Sequence, residues 1–251
     1  MTLHRLSSGR LTPVVLLHGW GHGLQTWQRL APALSDAGHP VYAAVAPGYD
    51  NSSHPNQWGF DQCAKAIGSE LESEGLAQVH LVGHSMGVFT AVALERAAHA
   101  AVVSHTWLGI VPTPAPPGGN PAIEDLLRRG SASDELVSAI ADHWEHGVPP
   151  AKRLSPSERQ DVRDELQAIP MSVLEESARC CRRGIESGPL PHAPVTLLRD
   201  PADCARSDEN VADYFSALPS AEWIAVRGGG HLLHWTHVDT IVAAVQAHED
   251  A

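Results

Sequence analysis

The chain has 251 residues, with 17 Lys and Arg against 29 Asp and Glu, a formal charge of −12 with neutral histidines. That acidic excess argues against a nucleic-acid binder, whose phosphate contacts need clustered Lys and Arg. Charged residues make up 18% and apolar ones 43%, the balance of a folded chain and not of an acidic disordered one.

Short apolar runs alternate with amphipathic ones over most of the length, the pattern of a mainly parallel sheet flanked by helices. Pro13 to Leu17 is the first clear strand, so few strands are expected ahead of it. Leu24 to Ala37 reads as a helix with Trp27, Leu30 and Leu34 at helical spacing, stopped by Gly38. A strand at Val41 to Val45 follows, then a helix at Phe60 to Glu74 ended by Gly75. Val79 to Val82 is the next strand, and Gly83-His84-Ser85-Met86-Gly87 comes directly after it. A helix from Val88 to about Ala98 and a strand near Val102 to Val111 complete the first half.

From Pro112 to Gly119 the chain is crowded with Pro and Gly, which continue neither strand nor helix. Beyond this break four helices are expected without a strand between them. Asn120-Pro121 opens one, and Ser131 with Asp134 opens another. Ser155-Pro156-Ser157-Glu158 carries an N-cap, a proline at the first helical position and an acid three residues on. Ser172 with Glu175 opens the fourth, which Gly184 closes. Strand, helix, strand and helix then resume at Val195 to Leu198, Ser207 to Leu218, Trp223 to Val226 and Val238 to Ala247. The expected organisation is one α/β domain over residues 1–251, with a helical lid inserted at 113–193.

Gly83-His84-Ser85-Met86-Gly87 fits G-x-S-x-G and falls between a strand and a helix, the setting in which that motif raises a serine hydroxyl above a sheet edge. A serine needs a base, and the base needs an orienting carboxylate. Gly228-Gly229-Gly230-His231 follows the last strand, so His231 reaches the same edge as Ser85. Arg199-Asp200-Pro201-Ala202-Asp203 follows the strand before it and offers two acids. Asp203, on the loop and away from the strand end, is the preferred one, with Asp200 as its competitor. An oxyanion needs two backbone N–H donors, each worth about 2.7 to 4 kcal/mol. Met86, next after the nucleophile, offers one, and Trp20 in His18-Gly19-Trp20-Gly21-His22-Gly23 offers the other. That glycine-rich segment lacks both the order of a dinucleotide loop and the lysine of a P-loop.

On these residues the sequence resembles the α/β-hydrolase superfamily, through most of the chain outside the lid. Leu17 to Gly23, Trp27 and Leu34 to Val41 look like its esterase and hydroxynitrile lyase subgroup, which includes plant methylesterases. The resemblance implies Ser85 as nucleophile, Asp203 as acid, His231 as base, and Trp20 and Met86 as oxyanion donors. Two departures stand out. Asp200 occupies the position, three before the acid, where the family commonly has Gly. Gly19 and Leu232 stand where the lyases need Thr and Lys, so cyanohydrin cleavage is not expected.

The expected activity is hydrolysis of carboxylic esters through an acyl-enzyme. The same residues would serve a lactonase, a thioesterase or a carbon–carbon bond hydrolase, and a non-catalytic ligand receptor is the reading from another class. No cofactor or metal is expected, since the spacings His231, His234, His237 and His143, His146 lack completing Cys or acid. The expected partner is a small ester, with no nucleic acid and no membrane; the oligomeric state stays open. The apolar stretch Val92 to Val103 is interrupted by Glu95, Arg96 and His99, and Met1 to Arg10 has no leader-like order. With Cys63, Cys180, Cys181 and Cys204 read as free thiols, the expected location is the cytoplasm.

Overall fold

A computed structural model describes residues 3–50, 58–114, 121–130, 133–185, 188–203, 205 and 208–249. Its strands are β1 (Leu3–Arg5), β2 (Val14–Leu17), β3 (Val41–Ala44), β4 (Gln78–His84), β5 (Ala101–Leu108), β6 (Val195–Arg199) and β7 (Ala221–Ala225). Ten α-helices accompany them among the described residues: α1 (Leu30–Asp36), α2 (Phe60–Ser73), α3 (Met86–Ala97), α4 (Pro121–Arg129), α5 (Asp134–Trp144), α6 (Pro156–Ala168), α7 (Met171–Arg183), α8 (Asp208–Ser216), α9 (Leu233–Thr236) and α10 (Val238–Gln246).

The sheet runs β1-β3-β2-β4-β5-β6-β7, antiparallel only where β1 meets β3. All the other pairs are parallel, so β2 to β7 end on one edge. Their side chains alternate between two cores. Val15, Leu17, Leu81 and Trp107 face the cluster that includes α2 and α3, while Val14, Leu16, Val82 and Leu108 face the one that includes α1 and α10. Both faces are thus covered, which is why β2 and β3 read as continuous apolar runs with no polar alternation. α3 is buried from Met86 through Leu94, the position of a helix apolar on all sides.

Several local expectations change in the structure. The helix expected over Leu24 to Ala37 splits into a 3-10 turn at Gln25–Trp27 and α1, and Gly38 follows at φ 100°. Ser133 caps α5 through the Leu136 N–H at 3.4 Å, in place of Ser131, which lies outside the described residues. α7 starts at Met171 behind Pro170 with no side-chain cap, so Ser172 does not open it. The capping box at α6 forms as its sequence suggests, with Ser155 and Glu158 bonding each other's backbone N–H. Asn120, Cys204, Ser207 and most of the Pro/Gly break also lie outside the described residues. The short β1 and α9 have no clear pattern in the sequence. α4 to α7 lie between β5 and β6 along the chain, with no strand among their described residues.

The fold turns on close backbone approach at the end of β4. A Cβ built on Gly87 would stand 1.9 Å from the Leu17 carbonyl oxygen, and one on Gly83 would stand 2.9 Å from the Gly87 oxygen and Val88 nitrogen. Gly87→Ala must therefore push α3 off β2. Thermal denaturation should show a Tm lowered by about 5 to 10 °C; a variant as stable as the parent would contradict this packing.

Candidate active site

Ser85 sits between β4 and α3 with φ 49° and ψ −115°, a conformation that non-glycine residues avoid and that only surrounding structure can hold. Its N–H donates to the Leu108 carbonyl at 3.2 Å, and its own carbonyl accepts the Val88 N–H at 2.9 Å. The turn is thus pinned to the end of β5 and to the first turn of α3. Met86 opens α3, where first-turn N–H groups have no acceptor within the helix and point at whatever lies beyond its end.

His231 and Asp203 meet at the same sheet edge, with Nδ1 2.9 Å from Oδ2. A carboxylate only accepts, so Nδ1–H donates and Nε2 of the neutral ring is left as the basic nitrogen. Burial works to raise the Asp203 carboxyl, but His231, the Ala205 N–H and Arg199 together hold it below the usual range. Leu108, which binds Ser85, leads into Gly109, where φ is 90° and a Cβ would stand 2.7 Å from Asp203 Oδ2. His84 supplies a second link from the serine turn: its Nε2–H donates to the His231 carbonyl at 2.9 Å, and the two rings lie 4.8 Å apart. Burial and the neighbouring His231 push His84 down to about 3, so it stays a neutral donor.

The second aspartate has a different job. Asp200 Oδ2 accepts the N–H groups of Gly229 and Gly230 at 2.7 and 2.9 Å, and Oδ1 accepts that of Ala202 at 2.9 Å. It fixes the glycine loop that delivers His231 and does not touch the imidazole itself. Arg199, buried at the end of β6, donates to the Gly109 carbonyl at 2.7 Å, the Asp203 carbonyl at 3.2 Å and Asp208 at 2.8 Å. One guanidinium therefore ties the end of β5, the acid loop and α8 together. Sequence reasoning missed both Arg199 and Gly109. The available signals were an arginine closing an apolar strand and a lone glycine closing another.

Trp20 and Met86 line a cavity of about 130 Å³ with Ser85, Phe89, Ile110, Ile123 and residues of α7. The loop carrying Trp20 is fastened at several points. The Trp20 indole N–H donates to the Leu174 carbonyl at 3.0 Å, which joins it to α7. His18 donates from Nδ1 to the Gly19 carbonyl at 2.8 Å and accepts the Ala46 N–H on Nε2 at 2.9 Å; burial takes its pKa down to about 4. Glu165 of α6 accepts the N–H groups of Gly23 and Gln25 at 2.9 and 2.7 Å, and Glu158 of α6 pairs with Arg29. The spaced histidines go elsewhere: His234 bonds Thr26 at 2.6 Å and packs on His84, and His237 bonds Thr236 at 2.9 Å.

A parallel sheet covered on both faces, with a strained serine on the elbow between a central strand and a buried helix, defines the class as an α/β-hydrolase fold. The chain belongs to the alpha/beta hydrolase family, which it matches over residues 14–244. It is 26% identical to a pimeloyl-[acyl-carrier protein] methyl ester esterase of Vibrio cholerae, over 87% of this chain and 89% of that protein. It is 32% identical to a protein of the same description from Methylococcus capsulatus, over 65% of this chain and 63% of the other. In fold it resembles an esterase from Exiguobacterium antarcticum, at a TM-score of 0.83 and 16% identity, covering 99% of this chain and 95% of that one. No helix among the described residues is long and apolar enough to cross a membrane.

Glu165 gives a pH-dependent handle on the contact between α6 and the Trp20 loop. Burial pushes its carboxyl up to about 7 against the two N–H groups that favour the anion. A carboxyl raised on folding stabilises the protein fully below its unfolded pKa, and that stability is lost as pH rises through about 7. The parent's Tm should therefore fall more between pH 5 and pH 8 than that of Glu165→Gln. Parallel melting curves at the two pH values check this, and equal slopes would remove Glu165 as the titrating group.

Proposed function

We propose a serine esterase mechanism for this ester hydrolase, with Ser85 as nucleophile, His231 as general base and Asp203 as its orienting acid. The observation that carries it is the strained Ser85 elbow sharing one sheet edge with the hydrogen-bonded pair His231 and Asp203. As the Ser85 hydroxyl oxygen attacks the ester carbonyl carbon, its proton passes to His231 Nε2. Asp203 keeps the other imidazole proton on Nδ1 and stabilises the cation that forms. The carbonyl electron pair moves onto oxygen, where the N–H groups of Trp20 and Met86 receive the charge. Collapse of this intermediate expels the alcohol, which takes its proton from His231, and leaves an acyl ester on Ser85. Water then repeats the two steps and frees the acid.

Phe89, Ile110, Ile123 and Met86 make the cavity beside Ser85 mainly apolar, and its volume of about 130 Å³ suits a short unbranched group. The relatives described as methyl ester esterases support methyl carboxylates as the first substrate class to try. The ion pair between Glu124 and Arg182, 2.8 Å apart, leaves no net charge from these two groups at the rim. Together with the overall acidity of the chain, this favours neutral esters over strongly anionic ones.

Ser85→Ala should abolish turnover of short p-nitrophenyl esters while circular dichroism stays that of the parent; residual activity close to the parent's would overturn the mechanism. The two aspartates should separate by their effects. Asp203→Asn is expected to lower kcat by about 10⁴-fold, because it strands the imidazole proton on the wrong nitrogen. Asp200→Ala should instead lower Tm, by releasing the Gly229 and Gly230 N–H groups, and reduce kcat by a much smaller factor. Steady-state kinetics and melting curves on both variants read this out, and the reverse order would exchange the assignments.

A further inference from the structure

At the sheet edge opposite Ser85, three separate segments bring two imidazoles and a carboxylate together. His80 lies early in β4 and faces Ser104 of β5 across the ladder. His39 lies in the connection from α1 to β3, and Glu249 follows α10. One donor atom from each residue lies within 4.8 Å of the other two. His80 Nε2 is 3.0 Å and His39 Nδ1 is 3.8 Å from the same oxygen, Glu249 Oε2. Both imidazole side chains are fully buried and the carboxylate is 17% exposed.

Each group is also held from behind, as the side chains of metal sites characteristically are. Glu249 Oε1 accepts the Thr12 N–H at 2.7 Å, His39 Nδ1–H donates to the Thr12 carbonyl at 2.8 Å, and His80 Nδ1 meets the Ser104 hydroxyl at 2.8 Å. The Thr12 contact fixes the proton of a neutral His39 on Nδ1. Its Nε2 then carries a bare lone pair, and this atom is buried with no hydrogen-bond partner among the described residues. A buried acceptor without a donor is unfavourable, and a cation relieves it.

We propose that His39, His80 and Glu249 bind one divalent transition-metal ion, Zn²⁺ before others, and that the ion fastens the segment after α10 to the amino edge of the sheet. Two imidazoles with one carboxylate suit Zn²⁺; Ca²⁺ and Mg²⁺ prefer sites built from oxygen. Binding needs no net loss of a proton. His80 moves its proton from Nε2 to Nδ1, and the Ser104 hydroxyl turns from donor to acceptor. Donors around tetrahedral zinc stand about 3.4 Å apart, and side-chain rotation closes the present span of up to 4.8 Å to that spacing. Glu249 also lines a surface cleft with Thr12 and Gln78, through which the ion and a water for its fourth position arrive. Five residues of extended strand, about 16 Å, separate His80 from Ser85, so the ion acts on stability and not on ester chemistry.

The test uses the tag-free 251-residue protein stripped with a chelator and titrated with ZnCl₂ by calorimetry and in thermal melts. One ion per chain should bind with Kd below about 10 µM. Saturation should raise Tm by about 5 °C or more while p-nitrophenyl ester turnover stays constant, and MgCl₂ should do neither. Glu249→Gln, a change at a partly exposed site near the end of the chain, should keep the parent's circular dichroism and weaken zinc binding at least about 10-fold. His39→Asn is a second variant with the same expectation. Absence of saturable zinc binding below about 100 µM, or equal affinity and Tm shift in the parent and both variants, would overturn the proposal.

Discussion

The contact between Gly87 and the Leu17 carbonyl is the constraint on which the rest of the arrangement depends. It lets a helix buried through most of its length lie directly against β2, which in turn forces the sharp reversal at Ser85. The strain at Ser85 is maintained by neighbours on both sides, β5 through Leu108 and α3 through Val88. Backbone geometry therefore fixes where the hydroxyl stands before any side chain contributes.

Around that fixed point several buried polar groups hold the loops in place. Asp200 holds the glycines ahead of His231, Arg199 holds the turn ahead of Asp203, and His84 holds the His231 carbonyl. His84 is kept neutral by burial, so it adds no positive charge beside His231 at neutral pH.

Much of this was legible in the sequence because it is local. The strand, glycine, serine, glycine and helix order around Ser85 is contiguous, and His231 follows a strand by a short glycine run. The parallel sheet followed from apolar runs punctuated by turns. The choice between Asp200 and Asp203 was legible only as a preference, since it depends on which carboxylate meets residues 28 to 30 positions further along. An arginine closing an apolar strand did not reveal its role, because the partners of Arg199, the Gly109 and Asp203 carbonyls, are backbone atoms that exist as acceptors in every sequence. β1 was missed because three residues are too few for an alternation, and His80 with Glu249 because 169 positions separate them. Ser172 misled because its spacing to Glu175 copies a capping box, while Pro170 sets where α7 begins.

α4 to α7 leave the sheet after β5 and return to it at β6, and these two strands are direct neighbours, with His105 beside Val195. A connection whose ends are pinned on adjacent strands is insensitive to its own length: doubling it adds only about 0.6 kcal/mol of closure entropy. The helical connection between β5 and β6 is thus an exchangeable part as far as the sheet is concerned. Helices added, shortened or replaced there leave every strand register unchanged, provided that Glu165 of α6 and Leu174 of α7 still fasten the Trp20 loop.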